Sequence, residues 1–121
     1  MLIQRNQKII DLQQAFNNRF PGLKIVFYKK QHGDHEGSLK DLEYDSDQLL
    51  SVIQPDIKDG KIDLEPSKTV TELEQEFEAQ FGLNVQVFRR SNTIWLQTVK
   101  TDDWTLDVQN SKGLRSIQTN Q

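Results

Sequence analysis

Two pairs of adjacent cations and one loop of metal-capable side chains are the residues here whose types and spacing invite chemistry. The cations are Lys29-Lys30 and Arg89-Arg90; the loop holds His32, Asp34, His35 and Glu36. Imidazole beside carboxylate suits zinc or nickel. Gly33 and Gly37 loosen that loop, however, and no third histidine exists. The loop therefore reads as solvated, with His32 and His35 only weak metal candidates, and neither a metal site nor a cofactor is expected. Lys29-Lys30 and Arg89-Arg90 close two matching segments, so a pseudo-two-fold would make them two related basic spots. Trp95, with Tyr28 and Phe88, would add surface on which bases could stack. The plainer reading is that charges mark strand exits and discourage edge pairing. Asp102-Asp103 beside Trp104 could bind a cation or act as acid and base, but neighbouring turn residues seldom aim at one point. Asp103 as the N-cap of a following helix accounts for them.

The chain offers little for covalent chemistry. It has no cysteine and only two histidines. No nucleophile elbow, phosphate loop, dinucleotide fingerprint or zinc-protease motif occurs. An enzyme is not expected; a non-enzymatic protein-interaction or binding module is. The alternative is a nucleic-acid-binding accessory protein that uses Lys29, Lys30, Arg89, Arg90 and Trp95. A net charge of −3 opposes general affinity for polyanions and leaves room only for a local basic patch. Absence of cysteine fits a reducing compartment. The N-terminus has no secretory pattern, and no apolar run reaches the roughly 18 residues of a membrane span. A cytoplasmic location without membrane contact is the expectation, and the sequence leaves the oligomeric state open.

The elements that must position these residues come in two copies. Thr69–Arg90 reads as a capped amphipathic helix that turns at Gly82 and enters a strand; Lys8–Lys30 repeats it. Leu12, Phe16 and Phe20 match Leu73, Phe77 and Phe81. After an insertion at Pro21, Gly22, Leu23, Ile25 and Tyr28 match Gly82, Leu83, Val85 and Phe88. Ile9, Leu12, Phe16 and Phe20 recur at helical spacing, which marks a core stripe. Asn6 is the expected N-cap of the first helix, and Pro21-Gly22 its stop, with glycine available for a left-handed cap. Thr69 and Glu72 fit a capping box, with Ser67 as competitor. Leu23, Ile25 and Phe27 alternate with Lys24, Val26 and Tyr28; the apolar content of the second set predicts that this face is covered too.

Short strands are expected at Met1–Gln4 and Lys61–Leu64, each ahead of a helix, and a short helix over Ser46–Ile53. Ser91-Asn92 is a hairpin candidate leading to a strand over Thr93–Val99. Asp102–Leu106 reads as a capped turn that opens a short last helix to about Asn110, followed by a frayed tail over Ser111–Gln121. The whole predicts one α+β domain over residues 1–121, in two related halves, about 1–55 and 56–121. Two main helices would lie on one face of a mixed sheet of four to five strands. A ferredoxin-like plait is the first choice and a β-grasp arrangement the alternative.

The segment TVTELEQEFEAQFGLNVQVFRRSNTIWLQTVKTDDWTL resembles a family of small, uncharacterised bacterial proteins. In that family an aromatic helix–Gly–strand unit precedes a Trp-bearing strand and a DDWTL-like turn. The resemblance implies no activity. A looser likeness, to ubiquitin-like β-grasp domains, rests on a strand ending in Glu65-Pro66, a helix opened by Ser67 and Thr69, and a Thr105-Leu106 turn. It implies fold alone, since the chain ends in Thr119-Asn120-Gln121 rather than Gly-Gly.

Overall fold

A computed structural model describes residues 1–29 and 42–118. In chain order the elements are β1 (Leu2–Ile3), α1 (Ile9–Arg19), β2 (Leu23–Tyr28), α2 (Leu50–Ile53), β3 (Gly60–Lys61), α3 (Val70–Phe81), β4 (Asn84–Ser91), β5 (Ile94–Gln97) and α4 (Leu106–Gln118). A 3-10 turn, Val99–Thr101, lies between β5 and α4. The α+β class holds. Among the described residues the strands form two antiparallel sheets, β1-β3 and β2-β4-β5, rather than one mixed sheet. Here the pairing departs from a plait: β1 and β3, which precede the two main helices, pair with each other instead of joining β2 and β4. An isolated bridge, Tyr28↔Glu43, continues the larger sheet past β2, just as β5 continues it past β4.

The two halves are related by an approximate two-fold. In the β2–β4 ladder Val26 faces Gln86, with Ile25 opposite Val87 and Phe27 opposite Val85. The repeat makes Val26 and Gln86 equivalent, so this pair sits on the axis. Met1 and Ile62, also equivalent, exchange both backbone hydrogen bonds, at 2.8 and 3.0 Å, and sit on it too.

Each half also closes by pairing its two helix starts. The opening N–H groups of a helix lack partners within that helix. Here each start uses the carbonyls of the other helix's entry turn. Ile9 N–H donates to Gln48 (2.9 Å) and Leu50 N–H to Gln7 (2.9 Å), with Ile10 to Ser46 and Ser51 to Arg5 outside them. The second half repeats this with Val70 to Trp104 (3.1 Å), Leu106 to Lys68 (2.8 Å), Thr71 to Asp102 and Asp107 to Pro66.

Ile9, Leu12, Phe16, Leu73, Phe77 and Phe81 join Leu23, Ile25, Phe27, Val85 and Val87 in one core cluster drawn from both halves. Phe27 and Phe77 meet edge to face across it, with centroids 5.9 Å apart. The outward set on β2 is covered as expected: Val26 and Tyr28 are each 5% exposed.

Several local expectations change. Lys8, not Asn6, is the N-cap of α1, and its N–H is taken by the Asp11 carboxylate (2.9 Å). Thr69 is confirmed as the cap of α3: its hydroxyl accepts the Glu72 N–H at 3.1 Å, and Glu72 accepts the Thr69 N–H at 3.0 Å. Gly82 is the left-handed cap (φ 65°), whereas Gly22 has no positive φ. A Cβ at Gly22 would lie 2.5 Å from the Asn110 carbonyl oxygen, so the turn after α1 needs glycine because α4 packs on its backbone. The hairpin turn is Asn92-Thr93, with Asn92 at φ 59°. Thr105, not Asp103, caps α4 by accepting the Val108 N–H (3.2 Å). The expected frayed tail is mostly helix: α4 runs to Gln118, held by buried Leu106, Gln109 and Gly113.

Candidate functional site

Alternation along β4 sends Arg89 to the face that carries the helices and Arg90 to the opposite face. Arg89 donates through Nη1 to the buried Gln109 Oε1 of α4 (2.9 Å) and lies over the Trp104 ring, 5.6 Å from its centroid. Lys112, also on α4, lies over the same ring at 5.6 Å. On the other face Arg90 and Lys24 both lie over Trp95, at 5.5 and 5.0 Å. Each indole thus holds a pair of cations through its electron-rich ring.

At the end of β4 lies a concavity of about 290 Å³ lined by Arg89, Arg90, Ser91, Lys112, Arg115 and Ser116. Ser116 Oγ accepts the Asn92 N–H (3.1 Å) and so ties the last turns of α4 to the hairpin. The ion pair present among the described residues is Lys68–Glu76, elsewhere on the molecule. Among the described residues no carboxylate pairs with the arginines and the lysine of the concavity, in a chain whose net charge is −3.

The basic pairs do not meet. Because β2 and β4 are antiparallel, Arg89 faces Leu23, while Lys29 follows Tyr28, which faces Asn84. Lys29 and Arg89 are thus separated by roughly 20 Å of strand, at about 3.4 Å per residue. Lys29 and Arg89 therefore stand at opposite ends of the β2–β4 ladder and do not converge; Arg90 meets Trp95 on one face, and Arg89 lies on the other. Lys30, His32 and His35 lie outside the described residues. Among the described residues no cluster of His, Cys, Asp or Glu could hold a metal ion.

Lys24, Lys112 and Arg115, outside the residues expected from the sequence, complete the site. Lys24 was visible as an outward strand position. Lys112 and Arg115 have helical spacing in KGLRS, a signal lost once that stretch is taken as a tail.

A larger cleft, about 690 Å³, lies between α1, the edge of β2 and residues 43–46. Gln13, Gln14, Asn17 and Asn18 line it, together with Lys24, Glu43, Asp45 and Trp95. Gln13 and Asn17 spend their amide N–H groups on the Ile25 and Leu23 carbonyls of that edge, at 3.0 and 2.8 Å. The groups with displaced titration stand elsewhere. Burial, then Glu43, pushes Tyr28 up to about 12. Burial, assisted by Asp102, raises Glu74 to about 7, against the pull of the Val87 N–H. The Thr69 backbone and hydroxyl lower Glu72. Each has a structural partner, and none forms an acid–base pair with another.

The outer edge of β5 is a second surface of interest. Ile94 is 56% exposed, Leu96 39% and Val99 58%. No charged residue lies between Thr93 and Val99. Thr98 N–H bonds the Val87 carbonyl (3.3 Å), so by alternation the backbone groups of Trp95 and Gln97 point away from β4. Among the described residues no strand pairs with them.

Comparison with protein-family models, curated proteins and solved structures found no match for this chain. No helix among the described residues is long and apolar enough to cross a membrane.

Proposed function

We propose that this chain is a non-enzymatic interaction module that captures an extended segment of a partner protein along the outer edge of β5. One observation carries the reading: an edge strand with outward backbone groups, exposed Ile94 and Leu96, and no guarding charge. Edge strands left uncharged and apolar are templates for strand addition. In that mode main-chain hydrogen bonds supply affinity and alternate side chains supply selectivity. The antiparallel β2-β4-β5 sheet lies behind the edge, and α4 packs on β4, so among the described residues the outer edge of β5 is unpaired.

The test is selection of extended peptides from a random library, followed by NMR titration of the isotope-labelled protein. Enriched peptides should alternate apolar and polar residues and shift the amides of Thr93–Val99. Leu96→Lys, at a part-exposed position, should abolish those shifts without loss of fold. Failure to enrich any peptide, or shifts centred on another surface, would refute the reading.

A further inference from the structure

We infer that the basic concavity at the end of β4 binds the sugar–phosphate backbone of single-stranded nucleic acid. The cations form a band rather than a point. It begins at Lys112 and Arg115 on α4 and passes through Arg89 beside Trp104. It then crosses the strand to Arg90 and ends at Lys24 on β2, these last two held over Trp95. Among the described residues none of these cations is paired with a carboxylate, so gathering them is costly because each repels the next. A lone phosphate would satisfy the pocket itself but leave the Lys24 end unused. Phosphates spaced along a chain would meet the whole band.

The shape selects a single strand. Arg89 and Arg90 lie on opposite faces of β4, so a ligand touching both sides must bend round the end of the sheet. A duplex, with its persistence length of about 50 nm, resists so tight a bend. Both indoles already carry cations over their rings, so they position charge instead of stacking on bases. Recognition is therefore of the backbone, with little base preference. The site spans few phosphates and the chain as a whole carries a net charge of −3, so affinity is modest and falls with salt. With two or three phosphates engaged, log K should fall against log salt with a slope of about −1.5 to −2.

The experiment is fluorescence anisotropy with a short labelled oligo-dT, its blunt duplex and a singly phosphorylated peptide, at about 50 mM and about 200 mM salt. The expected result is salt-sensitive binding of the single strand, weaker binding of the duplex, and at least a tenfold loss in the Arg90→Gln/Lys112→Gln/Arg115→Gln variant. Arg89 is left in place because it holds the buried Gln109. Thermal melts by circular dichroism check that the variant folds; should it not, Lys24→Gln and Lys112→Gln singly replace it, each expected to weaken binding. Absence of binding at low salt would overturn the inference. So would variants that bind like the wild type, a duplex bound as tightly as the single strand, or a phosphopeptide bound as tightly as the oligonucleotide. The peptide-binding edge is tested separately, so either site can fail alone.

Discussion

Replacing Glu74 by glutamine should make the protein more stable in mild alkali and less sensitive to pH. Glu74 lies on α3, and its Oε2 accepts the Val87 N–H at 3.0 Å, where β4 parts from β5. Burial lifts its titration from the ordinary 4.5 to about 7, with Asp102 adding to the rise. The folded chain therefore binds more protons than the unfolded chain between about pH 4.5 and pH 7, and unfolding becomes easier as pH rises through that window. The stabilisation is complete below the window and gone above it. At about 1.4 kcal/mol per pH unit the span gives a ceiling of about 3 kcal/mol. Partial exposure of the side chain brings this to about 1–2 kcal/mol. Glutamine keeps an oxygen for the Val87 N–H and has no charge to desolvate. Gln13, the equivalent residue in the first half, is a neutral amide, although it donates to the Ile25 carbonyl where Glu74 accepts from an N–H. Urea unfolding of wild type and Glu74→Gln at pH 5 and pH 8 is the assay. The variant should gain about 1–2 kcal/mol at pH 8, a rise in Tm of about 5 °C, and nothing at pH 5. A variant no more stable than wild type at pH 8, or one that keeps the wild-type pH dependence, would show that Glu74 is ionised in the fold at no cost.

Three further outcomes are expected. Gly113→Ala lies inside a helix, where propensity alone favours alanine by about 1 kcal/mol. Its Cβ would nonetheless stand 2.6 Å from the Gly22 carbonyl oxygen, so a net loss of about 1–3 kcal/mol by chemical denaturation should result. Thr69→Ala removes the oxygen that caps α3 and should cost about 1 kcal/mol in the same measurement. Phe77→Ala leaves a void against Phe27 and should cost about 3–5 kcal/mol; a loss below 1 kcal/mol would show the ring is not core.

The sequence alone carried the local structure. The stripe Leu73, Phe77, Phe81 and its copy Leu12, Phe16, Phe20 specified the two main helices and their buried faces, because periodicity is a property of neighbouring residues. Thr69 with Glu72 marked a helix start and Gly82 a helix end for the same reason, each being a bond or a dihedral set within a few residues. The α+β class and the alternation of β2 and β4 followed.

What needed the tertiary structure was every relation between the copies. The antiparallel register of β2 and β4 drives Lys29 away from Arg89, although the repeat makes them equivalent. The crossed capping of helix starts joins carbonyls to N–H groups tens of residues apart, and backbone atoms carry no sequence signature. Gly22 and Gly113 serve each other's close approach, which neither reveals alone. That contact holds α4 in place past Asn110, and α4 brings Lys112 and Arg115 to Arg89 and Arg90. Charges scattered over the chain become one site only when long-range packing sets which ends of which elements coincide.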